Sequence, residues 1–282
     1  MLYALKKQKW RLEIEMSLLL RLLKKLWVLK KKHPQLRTYT YRSLVKSVKK
    51  RNDVCHIVAS GFSALDAYKH NVVKKNDYII GFNFSAFLPY NFDLYFCEDN
   101  SLVIKCETAK TDGIKKQALL LNKCKDRISN LVWKNIYSSE NLFYAEQFQQ
   151  NNIDYSIVMD RQIISENDKI VKQLLAKPGI MMPQWYTTTI TATMLAYHAG
   201  FKKIIVHGLD FGGSHVYFDK ELQKQVGMEL LDPYEKAKQQ PVYNGQEWIW
   251  PLLIDALSAK GVSVYCASQN SRFKEYASVY NT

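Results

Sequence analysis

The sequence predicts an α/β body, a Rossmann-like and mostly parallel sheet with helices on both faces, preceded by a basic amphipathic helix. Three observations predict it. Short apolar runs alternate with helical stretches from residue 53 onward, the pattern of a sheet buried on both sides. These runs end in glycines, amides and hydroxyls, the residues of strand-end turns. The positive charge is gathered at one end: residues 1–52 hold 16 Lys and Arg against Glu13 and Glu15, a balance of +14, whereas the remaining 24 basic and 24 acidic residues cancel.

In chain order, Trp10–Leu29 reads as the first helix, because Leu12, Met16, Leu19, Leu23 and Leu26 recur at spacings of three and four. Lys and Arg supply most of the opposite face, and Lys30, Lys31 and Lys32 follow directly. His33-Pro34 stops the helix, since a residue before proline is pushed out of the α region. Residues 1–52 form this extension and 53–282 the body. Val54–Ala59 is the first strand of the body, ended by Ser60-Gly61, and Ser63 opens a helix through Tyr68. Tyr78–Gly81, Leu94–Cys97, Asn130–Trp133 and Asp154–Val158 are further strands. Thr188–Ala199 is a helix, Lys203–Gly208 a buried strand, Pro251–Lys260 a helix and Val262–Cys266 a closing strand.

Composition narrows the function classes. A chain of 282 residues with 47% apolar content is long enough for one large domain with an appendage. Aromatic content of 13% with only 11 Gly and 7 Pro excludes low-complexity disorder. A neutral body excludes a globally basic nucleic-acid coat. The extension is leucine-rich rather than a basic stripe interleaved with aromatics, so an anionic membrane surface suits it better than nucleic acid. Each Lys or Arg at such a surface contributes about 1 kcal/mol. Packing of the leucine face on the body, or on a second copy in a homo-oligomer, is the alternative. Met16–Leu29 is interrupted by Arg21, Lys24 and Lys25, short of the roughly 20 apolar residues that span a bilayer. Cys55, Cys97, Cys106, Cys124 and Cys266 lie far apart without a C-x-x-C pair, which points to reduced thiols in a cytoplasmic protein on the inner face of the cell membrane. Neither G-x-G-x-x-G nor G-x-x-x-x-G-K-[ST] occurs, so dinucleotide and P-loop chemistry are disfavoured.

In a parallel sheet, ligands sit beyond the carboxyl ends of the strands. The residues there are Ser60-Gly61-Phe62-Ser63, Asn83, Glu98-Asp99-Asn100 and Asp210 through His215. They suit a nucleotide and a sugar. The Ser-Gly turn before a helix has two readings, a tight turn or a backbone cradle for phosphate.

The order of these pieces resembles the bacterial sialyltransferases of glycosyltransferase family 42 and the related domain of motility-associated flagellin glycosyltransferases. The resemblance covers about residues 54–275. Thr187-Thr188-Thr189-Ile190-Thr191, a helix to Gly200, F-K-K-I-I-V-H-G-L-D-F and Phe218-Asp219 parallel the family's Thr-Ser-Gly, helix, Gly-Ile-Asp-Phe and Phe-Asp. Ile57 through Ser63 matches a strand followed by Gly-Asn-Gly-Pro-Ser. Asp77-Tyr78 through Asn83-Phe84 matches the strand ending in a nucleotide-binding Asn, and Tyr265-Cys266 with Asn270-Ser271 a closing strand and Asn-Ser. The chain departs from the pattern at four places. Ser60 replaces an Asn, Trp185 lies near the place of an Arg, Gly212 replaces a Tyr, and Asn244 falls where the family has its general-base His.

The resemblance implies a GT-A-like variant of the fold and a metal-independent glycosyltransferase, with cytidine-monophosphate-activated nonulosonic acids such as sialic acid or Kdo as donors. The acceptor would be a surface glycan, in polysaccharide biosynthesis. It implies that Ser60, Gly61, Ser63, Asn83, Asn100, Asp210 and Phe211 meet the donor, and that Thr187 and Thr188 bond its phosphate or carboxylate. From the residues alone, Thr187 and Thr188 read equally well as a helix cap, Asp210 as a turn cap and Asn83 as a solvent-facing turn residue. His215, in a Gly-Gly-Ser-His loop, is the candidate base, since imidazole titrates near working pH. Asn244, at the family's base position, is the second candidate catalytic residue, and with Tyr243 and Tyr217 it belongs to a candidate lid. His207 and His198 read as hydrogen-bonded core residues. No cofactor and no metal are expected: Asp-x-Asp is absent, and Glu98-Asp99-Asn100 more readily meets sugar hydroxyls than Mg²⁺. The replaced His and Arg also admit an inactive, membrane-attached module that binds a nucleotide sugar.

Overall fold

The structure, a computed structural model, describes residues 37–98, 119–136, 155–160, 175–179, 182–183, 187–229 and 247–281. The chain divides into two compact units, Met1–Thr38 and Tyr39–Thr282. The helix expected at Trp10–Leu29 lies outside the described residues.

The strands are β1 (Arg37–Tyr39), β2 (Val54–Val58), β3 (Tyr78–Phe82), β4 (Leu94–Glu98), β5 (Leu131–Ile136), β6 (Tyr155–Asp160), β7 (Met182–Pro183), β8 (Lys203–His207) and β9 (Ser263–Cys266). The helices are α1 (Tyr41–Ser47), α2 (Ser63–Lys69), α3 (Thr188–His198), α4 (Lys220–Val226) and α5 (Ile249–Ser258). From β6 the sheet runs β6-β5-β4-β3-β2-β8-β9, with the two-residue β7 also on β6. All these pairings are parallel. The central strands β2, β3 and β8 are largely apolar on both faces because both faces are covered. Every residue of β3 is buried, as are the last four of β2 and of β8.

Alternation sorts the side chains into two layers. Cys55, Ile57, Ile204 and Val206 join a large core with α3, α5 and α1. Ile205 joins a smaller cluster with Ala67 of α2, Val72 and Ala267 on the other face. Helix α3 is buried at every position from Thr188 to Ala196, so it has no polar face. Its threonines stay compatible with burial by bonding backward along the helix: Thr191 Oγ1 donates to Thr187 O at 3.2 Å and Thr193 Oγ1 to Thr189 O at 2.9 Å. Gly200, at φ 86°, ends the helix and turns the chain into β8.

The structure extends the body beyond the expected boundary at 53. Tyr41 and Leu44 of α1 are buried in the large core, so the compact unit starts at Tyr39. Helix α1 went unread because at seven residues it is too short for its period to stand out against the charged extension. Helix α4 went unread for the same reason, although Asp219 caps it and Gly227 closes it at φ 65°. Among the described residues no helix is long and apolar enough to cross a membrane.

Candidate active site

Strands β2 to β6 are laid down to one side of β2, and β8 and β9 to the other. The strand order therefore reverses between β2 and β8. At such a reversal the loops leaving the carboxyl ends diverge and open a crevice, where ligands of open parallel sheets bind. Here the two loops are Ser60–Ser63 after β2 and Gly208–His215 after β8.

A backbone seam joins them. Gly61 N–H donates to Gly208 O at 3.0 Å, Phe62 N–H to Ser214 O at 3.0 Å, and Val216 N–H to Ser60 O at 2.9 Å. Gly61 and His215 form an antiparallel bridge. Asp210 closes the seam from its side chain: Oδ2 accepts the Ser63 N–H at 2.9 Å and Oδ1 the Ser63 hydroxyl at 2.5 Å. Ser63 opens α2, and Phe62 offers that helix no side-chain cap, so Asp210 caps it from across the seam. Glycine at 61 is a steric requirement. A Cβ there would collide with Gly208 O and come within 2.6 Å of Asp210 Oδ2.

Of the two readings of this turn, these bonds favour the tight turn over a backbone cradle for phosphate. The N–H groups of Gly61, Phe62 and Ser63 are engaged across the seam, and that of Ala64 donates to Gly61 O at 3.1 Å. Ser63 and Asp210 satisfy one another and hold the loops together. Ser60 is partly exposed, and its hydroxyl has no hydrogen-bond partner among the described residues.

His215 sits on this seam. Its Nδ1 lies 3.3 Å from Ser60 O. A carbonyl only accepts, so Nδ1 carries a proton, and in the neutral ring Nε2 holds the lone pair, the form a general base needs. Tyr217 stacks on the imidazole at 4.9 Å with 9° between the planes, and Phe84 packs on Tyr217 at 5.0 Å. This aromatic chain links the loop after β8 to the loop after β3, where Asn83 stands. Asn83 holds a left-handed backbone at φ 56°, and its carbonyl accepts from Tyr95 Oη at 2.6 Å. Its Oδ1 is buried without a hydrogen-bond partner among the described residues. An unmet buried acceptor costs about 1–3 kcal/mol, so a ligand donor there would be favoured.

Thr187 and Thr188 begin α3, which runs back along the sheet toward the start of β8. Eleven helical residues cover about 16 Å, the length of a five-residue strand, which brings these threonines to the carboxyl edge. Thr187 is the N-cap, its Oγ1 accepting from Ile190 N–H at 3.2 Å, and its hydroxyl hydrogen remains available to donate. Thr188 is buried. Phe211, at φ 51°, directs its ring onto Tyr276 at 5.6 Å and Phe273 at 6.4 Å, which anchors the loop to the 3-10 turn Arg272–Glu275. Asn100, Asn244, Tyr243 and Trp185 lie outside the described residues, as does Asp99. Among the described residues no three His, Cys, Asp or Glu gather as a metal-binding group.

One buried group was read only in part. His207 is fully buried, as expected of a core histidine, but it belongs to a chain with His56 and Asp77, two residues not singled out in the sequence. The signal was there: a histidine at an inward position of each of two apolar strands, V-C-H-I-V and K-I-I-V-H, needs a polar partner. His198 accepts or donates at 2.8 Å to Tyr41 Oη, and burial lowers its pKa to about 4.

The fold and the seam define an open parallel α/β protein whose strand order reverses between β2 and β8, with the two strand-end loops there bonded to each other. No family model and no curated protein matches the chain. Among solved structures it is similar to the monofunctional alpha-2,3-sialyltransferase Cst-I from Campylobacter jejuni, at 15% identity over 82% of each chain with a TM-score of 0.45. It is also similar to the sialyltransferase CstII from Campylobacter jejuni in complex with the substrate analogue CMP-3FNeuAc. That likeness is at 14% identity over 81% of this chain and 86% of that one, with a TM-score of 0.47. These neighbours are sialyltransferases, the class whose motifs the sequence resembles.

Proposed function

We propose that the protein is a glycosyltransferase that moves a nonulosonic acid, such as sialic acid or Kdo, from its cytidine-monophosphate-activated form to a glycan hydroxyl. The observation that carries the reading is the seam at the strand-order reversal, with the lone-pair nitrogen of His215 on it and the unmet acceptor of Asn83 on the adjoining strand end. In the reaction the acceptor oxygen bonds to the anomeric carbon as the bond from that carbon to the phosphate oxygen breaks. Cytidine monophosphate leaves with the bonding electrons, and His215 Nε2 takes the acceptor's proton. The Thr187 hydroxyl suits the leaving phosphate or the sugar carboxylate, and Asn83 Oδ1 suits an amino or hydroxyl hydrogen of the nucleoside. The reading needs no metal. It extends to peripheral attachment at an anionic membrane surface through the basic extension, with a surface polysaccharide as acceptor.

The test is a melting-shift screen of the full chain against cytidine, uridine, guanosine and adenosine mono- and diphosphates. Selective protection by cytidine monophosphate is expected, and a ligand at 100 times its Kd stabilises by about 2.7 kcal/mol. Equal protection by all four bases, or none, would remove the donor class. A second reading, a binding module without turnover, is favoured by Asn244 at the family's base position. Slow hydrolysis of the activated sugar without acceptor would exclude that second reading.

A further inference from the structure

On the face of the sheet opposite the large core, a hydrogen-bonded chain of side chains crosses the three adjacent strands β3, β2 and β8. It begins at Asp77, just before β3. The Asp77 carboxylate accepts from Asn52 Nδ2 at 2.8 Å and from the Lys74 N–H at 2.8 Å, and its Oδ2 lies 2.9 Å from His56 Nε2. His56 Nδ1 lies 2.8 Å from His207 Nε2. The rings meet because His56 faces Ile205 in the register of β2 and β8, and His207 is two residues further along the same face. His207 is the last residue of β8, and Gly208 of the seam follows it. Both histidines are fully buried, and Asp77 is 4% exposed.

The chemistry of the three groups fixes the direction of every bond in this chain. An ionised carboxylate only accepts, and with three donors around it Asp77 is ionised; burial opposes that charge, but those bonds hold its pKa down at about 2. His56 therefore carries its proton on Nε2. A neutral ring has one proton, so His56 Nδ1 accepts, and His207 must donate from Nε2. Burial lowers the pKa of both rings and keeps them neutral. Reversing any link would set two N–H groups, or two lone pairs, against each other at 2.8 Å in a dry interior, at the cost of unmet buried polar groups.

We infer that His207 is a positioning residue for the strand-end turn Gly208–Asp210, and that Asp77, acting through His56, sets the tautomer in which it does so. The ring of His207 is tied to β2 through His56, while its backbone carbonyl accepts the Ala59 N–H at 3.0 Å. Side chain and main chain thus fasten the same residue to β2 immediately before the chain turns. The next carbonyl, Gly208 O, holds Gly61, and Asp210 holds Ser63. A His207 ring that lost its bond to His56 would leave the residue before the turn held to β2 by its backbone alone, with Asp210 on Ser63 and Ser271 Oγ on Leu209 O holding the turn further on. The consequence for ligands rests on the proposed donor site; the tautomers and the turn do not.

The first test is ring nitrogen NMR of the full, ligand-free protein. His56 and His207 are expected as Nε2–H tautomers, and an Nδ1–H form at either ring overturns the inference. The second compares His207→Gln, whose amide can donate to His56 Nδ1, with His207→Leu, which cannot. In His207→Leu the Gly61 and Ser63 amides are expected to exchange about 10-fold faster or more, and in His207→Gln within about 3-fold of wild type. Equal exchange in all three proteins overturns the positioning role. Should His207→Leu not fold, Asp77→Ala answers the same question: an Nδ1–H signal should appear at His56 or His207, and a pure Nε2–H pattern refutes the link. Cytidine monophosphate affinity is measured alongside, expected to fall about 10-fold in His207→Leu and to hold in His207→Gln. Retained affinity in a folded His207→Leu with fast amide exchange counts against the step from turn to ligand. Absent binding by the wild type sinks the donor reading and leaves the exchange and tautomer results to judge the chain.

Discussion

His215 and Gly61 show how single residues set the character of the seam. The Nδ1 of His215 donates to Ser60 O, so in the neutral ring Nε2 is the basic nitrogen. Replacing His215 with alanine is expected to lower turnover with a cytidine-monophosphate-activated nonulosonic acid by about 100-fold or more, the usual scale for a general base. Melting temperature should change little, because the backbone bonds of the seam, which a substitution at 215 leaves in place, hold the loop. Near-normal turnover would take His215 out of the mechanism, and a raised KM alone would move it to donor binding. Gly61 poses the opposite experiment. A methyl group there meets backbone, which cannot step aside, so Gly61→Ala should destabilise the protein by about 1–3 kcal/mol in urea unfolding. An unchanged midpoint would mean that the two loops are not held together as described.

At the scale of elements, two buried histidines and the half-buried His198 give the sheet and α3 a signature in acid. His56 on β2, His207 on β8 and His198 at the end of α3 all have pKa values lowered by burial, that of His198 to about 4. In the unfolded chain each binds a proton near pH 6.5. The unfolded state therefore holds more protons below that pH, and stability, complete above about 6.5, falls as the pH drops toward 4. Each histidine adds a slope of up to about 1.4 kcal/mol per pH unit in that window. Melting scans between about pH 7.5 and 4.5 should show a progressive fall, steeper than in His198→Asn. A flat profile down to about pH 5 would be incompatible with these rings being buried and neutral.

At this scale the sequence was most legible. The runs at Val54, Tyr78, Leu94, Asn130, Asp154, Lys203 and Val262 each mark a strand, because a strand buried on both faces has to be apolar throughout. Their ends differ from expectation by up to three residues, as at Ile136 of β5, since backbone pairing rather than hydrophobicity stops a strand. The short helices α1 and α4 were not legible, as two turns hold too few residues for a period to show.

For the whole molecule, the charge asymmetry and the position of the core together predict what the extension does. Residues 1–38 carry 11 Lys and Arg against two Glu, and Tyr39–Thr282 forms a compact unit of its own. Deleting them, rather than 1–52, spares Tyr41 and Leu44 in the core. The shortened protein should melt as a folded domain and no longer sediment with anionic vesicles, while the full chain should do so in a salt-dependent way. Undiminished sedimentation of the shortened protein would locate the membrane contact in the body instead.

What the sequence determined by itself was local: the alternation of apolar runs and helices, the glycines and hydroxyls at strand ends, and the separation of charge from core. It could nominate Ser60, Gly61, Ser63, Asn83, Asp210 and His215, because turn chemistry is written in neighbouring residues. The tertiary structure decided which of these meet and what each is for. Strand order is set by long-range pairing, so only the fold could show that the order reverses between β2 and β8 and brings residues 60–63 against 208–215. Only there do the turn's N–H groups become partners of another loop rather than of a phosphate. Asp77, His56 and His207 are separated by 21 and 151 residues along the chain. Their hydrogen bonds exist because parallel register places one ring two residues beyond the other on the same buried face, a relation that no local pattern encodes.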